Sequence, residues 1–409
     1  MVKSDKNSEL TGVTGHSMKR FMLMFIYVLS FICVWGRGVP EDSLEVSLMT
    51  CSPGQEVYAL YGHTAIRVNN YATGEDWVFN YGMFSFNRPN FIWRFTRGEC
   101  DYQIGAAPFE YFIREYAERG SAVYQQTLNL TTSEKLRLWA LLTENMLPEN
   151  RVYLYNFFYD NCTTRARDRI EEAVSGEIVY PRSDTVRTYR EIVHLYTRRH
   201  PWAELGNDIC LGCEADRPIG IRQEMFAPFF LMRYFEDAVI KDSAGNVRPL
   251  VLSTAQVVEG RQDAENAGSG VSPALCAWGL FVVVLLLTCD EYRRRKCFWW
   301  LDALLMTLVG CIGLVVTFLF FFSIHPTVGS NWQIWVFNPI PLLAMPRVVY
   351  CAVKGKKTYY HEVNILILMF FILFSVWIPQ DFCVVVVPLA LTLWLRSCSY
   401  LLKERKRKD

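Results

Sequence analysis

Two hydrophobic patterns divide the chain. From Pro273 onward, long apolar runs alternate with short polar loops, over about 273–289, 298–323, 333–353, 362–378 and 383–396. These read as about five membrane helices, the last two short for a full span. Residues 38–258 instead carry the shorter periods of a globular domain. Leu44 to Cys51 (LEVSLMTC) alternates as a strand, and Pro53-Gly54 makes a turn. Strand character resumes over 57–68 around Gly62-His63, again over 77–81 (WVFNY), and over 91–104, where Gly98 interrupts it. Helices follow. Thr131 with Glu134 forms a capping box for an amphipathic helix reaching about Met146. Further helical patterns cover 184–197 and 225–240, the latter aromatic enough to lie against either the core or a membrane. Strands first and helices after predict an α+β domain. Residues 259–272 are polar and glycine-containing, as a tether would be, and 399–409 form a basic tail.

Between strands and helices lies the segment that organises the rest. Residues 152–159 (VYLYNFFY) are aromatic and strand-like, Asp160-Asn161 are N-cap residues, and Cys162-Thr163-Thr164 opens a helix that Gly176 stops. A thiol in a first helical turn meets unpaired N–H groups and the positive end of the dipole, which favour the thiolate. Cys162 is therefore the candidate nucleophile.

Charge placement orients the membrane part. The net charge is only +1, yet Arg293, Arg294, Arg295, Lys296, Lys354, Lys356, Lys357 and the tail from Arg396 occupy alternate loops. The opposite loops, 324–332 and 379–382, contain no Lys or Arg. By the positive-inside rule the tail is cytoplasmic and residues 38–258 are exported. Topology accounts for the basic clusters, so nothing suggests nucleic-acid binding. At the N-terminus, Lys19-Arg20 precede an apolar run over 21–36, so 1–37 is either a cleaved signal peptide or an uncleaved anchor. The loop carrying His325 and Asn331 then faces the same side as Cys162, and Asn338 interrupts the next span beside Pro339. Polar residues at such depth face protein or a cavity. These three are candidates for a substrate mouth; interfacial anchoring by His325 and Trp332 is the alternative.

Of 13 cysteines, five lie in the exported part: Cys51, Cys100, Cys162, Cys210 and Cys213. An odd count in an oxidising compartment leaves one thiol over. Cys210 with Cys213 and Cys51 with Cys100 are possible pairs, which would leave Cys162 alone. A second close pair of ligands for a metal is missing from the pattern, and no cofactor motif is present. A nucleophilic thiol needs a base. His194 reads as a solvated helix residue and His200 precedes a proline; His63 alone sits in a strand beside a glycine among apolar neighbours.

Gly62-His63-Thr64-Ala65 on a strand, followed about a hundred residues later by Asp160-Asn161-Cys162-Thr163, resembles the circularly permuted NlpC/P60 thiol enzymes. These are a papain-like group in which the histidine strand precedes the cysteine helix. The whole set resembles more closely still the Lnb-type lipoprotein N-acyltransferases of Gram-negative bacteria. It comprises Cys51-x-Pro-Gly, Tyr61-Gly-His, Phe79-Asn-Tyr-Gly, Asp160-Asn-Cys-Thr, and a multi-span part with His325-Pro and Asn338-Pro. The resemblance implies an antiparallel sheet with helices, Cys162 as nucleophile and His63 as base. A third member from the following strand is implied as Asn80, with Tyr81 second. The oxyanion site would come from the Cys162 N–H with Tyr61 or Asn161. It further implies an inner-membrane enzyme that moves an acyl chain from a phospholipid, through a thioester, to the α-amine of a diacylglyceryl-cysteine lipoprotein. A hydrolase on the same pair, acting on peptidoglycan or lipid, is one rival reading; a non-catalytic membrane-anchored binding protein is the other.

Overall fold

The computed structural model describes residues 43–54, 56–84, 89–261 and 270–406; the expected signal or anchor over 1–37 lies outside them. The α+β domain is built on β1 (Leu44–Cys51), β2 (His63–Asn70), β3 (Glu75–Met83), helix α1 (Phe91–Arg97), β4 (Asp101–Pro108), α2 (Phe109–Arg119), β5 (Val123–Leu128), α3 (Thr132–Met146), β6 (Val152–Leu154) and α4 (Cys162–Ala173). Then come β7 (Glu177–Val179), β8 (Arg187–Thr188), α5 (Tyr189–Thr197), α6 (Pro201–Cys210), β9 (Pro218–Ile219), α7 (Ile221–Glu224), α8 (Pro228–Glu236), β10 (Val239–Lys241), β11 (Val247–Pro249) and β12 (Val251–Val258).

Seven strands form one sheet in the order β12-β5-β1-β2-β3-β4-β6, every neighbouring pair antiparallel. β1 lies third from one edge, and all its residues but Glu45 are buried. Its alternation feeds two layers. Leu44, Val46 and Leu48 join a core with Leu138 of α3 and Ala166 and Ile170 of α4, whereas Met49 and Cys51 join Phe112 and Tyr116 of α2 on the other face. Leu138 and Ile170 are completely buried, each contributing about 1.5–3 kcal/mol by removal from water. This packing holds α4 against β2 and β3.

The capping box forms as the sequence indicates. Thr131 N–H donates to Glu134 at 2.8 Å and Glu134 N–H returns to the Thr131 hydroxyl at 3.4 Å.

Several expectations change: the strand read over 57–68 begins only at His63, after a short helical turn, and the helix read over 184–197 begins only at Tyr189. Residues 91–104 are not one strand: Phe91–Arg97 is helical, Gly98 caps it in the left-handed region, and the strand starts at Asp101. The aromatic content suggested β structure, but Ile92, Trp93 and Phe95 are exposed on a short helix with no strand partner to define a pleat. Residues 225–240 are not one helix either, because Pro228 starts a new one and Val239 begins a strand. Finally Cys51, Cys100, Cys210 and Cys213 are all free. Cys51 and Cys100 belong to core clusters on opposite faces of the sheet, which precludes the bridge between them.

The second part contains α9 (Pro273–Arg294), α10 (Trp299–Phe322), α11 (Ile340–Lys354), α12 (Tyr360–Phe374) and α13 (Val386–Lys406). Four segments are long and apolar enough to span a bilayer, Trp332–Lys354 counting as one; α13 has the length but carries its basic end. Arg396 of α13 binds Asp302 of α10 at 2.7 and 2.8 Å, and Glu291 of α9 at 2.6 Å, with all three side chains buried. Paired charges of this kind are what apolar surroundings tolerate, and they tie three helices together.

Candidate functional site

Cys162 is the first residue of α4. The preceding Asn161 is its N-cap, accepting from Thr163 N–H at 2.8 Å and Thr164 N–H at 2.9 Å. Its amide NH2 donates to Phe157 O at 2.8 Å and Phe226 O at 2.9 Å. All four capacities of the Asn161 side chain are thereby spent, so it holds the helix mouth and has no donor left for an oxyanion. The N–H of Cys162 itself has no intrahelical acceptor.

His63 opens β2, opposite Cys51 in register. Gly62 before it has φ +77, and a Cβ there would sit 2.4 Å from Cys51 O; only glycine lets the chain turn this tightly into the histidine strand. Asn80 lies on β3, and its Oδ1 is 3.1 Å from His63 Nε2. The amide orientation is set independently, because Asn80 Nδ2 donates to Val78 O at 3.2 Å. The oxygen must therefore face the ring, so Nε2 carries the proton and Nδ1 is left for the thiol. The strand–helix contact at this point is itself bonded, Thr64 Oγ1 to Thr163 Oγ1 at 3.1 Å.

Electrostatics follow from this geometry. Burial opposes ionisation of Cys162. The His63 charge, a hydrogen bond to His63, the Thr64 N–H and the Thr163 hydroxyl outweigh it and carry the thiol below its ordinary value. Burial likewise disfavours a charged His63, yet the facing Cys162 and the Asn80 bond raise it above the usual imidazole range. The two shifts have one origin, each group favouring the charged form of the other. Three other cysteines of the domain behave differently: burial pushes Cys51 up strongly, and Cys100 and Cys210 to about 11.

Sequence reasoning missed two neighbours. Gly82 has φ +83, and a Cβ there would lie 3.6 Å from the Cys162 Cβ and 3.7 Å from the Tyr155 ring. The β3–β4 register slips between Asn80 and Met83, an irregularity of the kind that bends a strand, here next to Cys162. The Tyr153 hydroxyl is near the same point and buried, with no acceptor for its proton among the described residues. Glycine after Phe79-Asn-Tyr was the available signal for the first; nothing in the sequence distinguished Tyr153 from its aromatic neighbours.

The remaining sequence candidates go elsewhere. Tyr61 packs on Phe157 and Tyr196, and its hydroxyl accepts from Asn207 at 2.7 Å. Tyr81 is a core residue whose hydroxyl donates to Asn145 at 2.7 Å. His325 Nε2–H donates to Phe95 O at 2.6 Å. Asn331 is buried and donates to Ile209 O at 2.7 Å. With Gln333 to Asp208 O at 2.6 Å and Gln380 to Leu211 O at 3.2 Å, it docks the α+β domain on the helices. Asn338 sits in the turn before α11, its side-chain oxygen accepting from Ile340 N–H at 3.1 Å. His194 is half-exposed but bonded, Nε2 to Asp208 at 2.9 Å. Ligand atoms of His194, Glu204 and Asp208 lie within 4.8 Å of one another. Asp208, however, is held by Arg190 at 2.8 Å and Glu204 by Thr197 at 3.0 Å, which makes this an ion-pair network and a poor metal cradle.

Fold and site together define a membrane-anchored α+β protein with a thiol, an imidazole and a carboxamide in a row. Residues 33–198 match the family model of the Lnb N-terminal periplasmic domain, and residues 264–408 that of the Lnb transmembrane domain. The chain belongs to the Lnb family. No curated protein and no solved structure matches it.

Proposed function

We propose that the protein is a lipoprotein N-acyltransferase of the bacterial inner membrane, its α+β domain periplasmic and its C-terminus cytoplasmic. The observation that carries this reading is the Cys162–His63–Asn80 row in a domain clamped directly onto membrane helices. The Cys162 thiolate attacks the ester carbonyl of a membrane phospholipid. The acyl C–O bond breaks, His63 gives its proton to the departing lysolipid oxygen, and the acyl group stays on sulfur. The neutral α-amine of a diacylglyceryl-cysteine lipoprotein then attacks the thioester. His63 takes the amine proton, the C–S bond breaks, and an amide and the thiolate remain. Asn80 positions His63. The Cys162 N–H, with the Tyr153 hydroxyl beside it, supplies donors for the oxyanion of both tetrahedral intermediates.

Intact-mass analysis of a reporter lipoprotein with and without the protein tests this. One added fatty acyl chain is expected, and none with Cys162→Ala. Release of free fatty acid or cleavage of muropeptides without acylation of the reporter would replace transfer by hydrolysis. Acylation persisting in Cys162→Ala would remove the mechanism.

A further inference from the structure

Helix α1 sits where the α+β domain meets the membrane helices. Ile324 N–H, just past the end of α10, donates to Arg97 O at 2.9 Å, and the Trp93 ring is 5.2 Å from that of Phe318. Between α1 and α10 runs a groove of about 930 Å³, lined by Asn90, Ile92, Trp93, Leu314, Val315 and Phe318 among others. Ile92 is 80 % exposed, and Trp93, Leu314 and Val315 about half. Such an apolar patch is unusual on a surface bathed by water. Leu314 and Phe318 lie one to two turns below the end of α10 that faces the α+β domain, on the order of 6–12 Å at 1.5 Å per residue. The groove therefore opens at the depth of lipid tails in one leaflet, with Trp93 at the level where indoles settle.

Its inner wall leads towards the nucleophile. Phe91 lines the groove and also a small second cavity beside Phe84 and Tyr102. Ring centroids then follow from Phe91 to Phe84 at 6.2 Å, Phe84 to Tyr102 at 4.9 Å, and Tyr102 to Tyr155 at 4.3 Å. Tyr155 and Cys162 face the same space over Gly82. An unbroken series of aromatic faces thus joins a lipid-level groove to the reactive sulfur.

We propose that the groove between α1 and α10 holds a fatty acyl chain of a bilayer phospholipid, and that the aromatic series is the wall along which its carbonyl end reaches Cys162. The route rests on the acyl-transfer reading; the occupancy of the groove does not. The test uses the full chain, with Cys162→Ala so that the lipid is held unreacted. The vesicles contain phosphatidylethanolamine carrying a photoreactive diazirine in its acyl chain. Adducts are expected to be at least several-fold enriched on peptides containing Trp93 and Leu314 over those containing Leu366 and Leu373, which are also exposed on a membrane helix. Leu314→Trp, which fills the groove, is expected to abolish that enrichment in the Cys162→Ala chain. In the chain that keeps Cys162, where acylation is assayed in parallel, it is expected to raise the KM for phospholipid while leaving iodoacetamide labelling of Cys162 unchanged. Even labelling over all lipid-facing helices, with acylation intact, overturns the groove. Enrichment without any acyl transfer keeps the groove and overturns the function.

Discussion

Asn80 Oδ1 faces His63 Nε2 at 3.1 Å while Asn80 Nδ2 is anchored on Val78 O at 3.2 Å. This double engagement fixes both the ring and its tautomer. Replacing Asn80 by Ala removes a hydrogen bond to a charged group, about 1.5–3 kcal/mol, so acyl transfer is expected to fall about 10–100-fold. The fall should appear in the single-turnover rate with the KM for phospholipid unchanged.

The mutual influence of Cys162 and His63 sets a pH signature. Cys162 ionises below the ordinary thiol range because His63 is charged beside it, so iodoacetamide should label it at a pH where Cys51 and Cys100, held protonated by burial, stay silent. In His63→Ala the positive partner is gone while the burial remains. The midpoint of labelling against pH should therefore move upward, as read by peptide mass analysis across a pH series. An unchanged midpoint would show that the two groups do not interact.

Gly82→Ala places a methyl group between the Cys162 Cβ and the Tyr155 ring in a backbone region that costs L-residues roughly 1–2 kcal/mol. Modest destabilisation is expected, with a larger loss of acylation because the added carbon lies 3.6 Å from the Cys162 Cβ. Thermal unfolding and transfer assays on one preparation separate the two effects.

Asn331 distinguishes docking from substrate binding. Asn331→Ala strands the Ile209 carbonyl and a Gln380 donor at the domain junction, about 1–3 kcal/mol for each buried group left unpaired. Faster proteolysis near residues 208–216 is expected, with the KM for phospholipid unchanged. A raised KM with normal protease resistance would return Asn331 to the substrate mouth.

Several of these relationships were legible in the residues alone, and the reasons differ. Leu44–Cys51 was read with its correct ends because it is bounded by turn residues. The Thr131–Glu134 box and the Asn161 cap are local chemistry, needing only three residues to be recognised. The Phe91–Arg97 helix was not legible. Its apolar residues face outward beside Phe318 of a helix more than two hundred residues away, and no local period encodes such a neighbour. The same holds for His325 and Asn338, whose polarity marked them as functional candidates although their side chains bond the backbone at a junction and in a turn.

By itself the sequence determined which segments are apolar enough for a bilayer, which thiol opens a helix, and which histidine lies in a strand, because these depend on side chains a few positions apart. Only the tertiary structure decided that His63 and Cys162, on separate elements about a hundred residues apart, face each other and shift each other's ionisation. It alone turned Asn80 towards His63, set Gly82 against the Cys162 Cβ, and brought α1 onto a membrane helix. Each of these is a long-range contact, chosen by how the sheet's two faces and the helices bury one another.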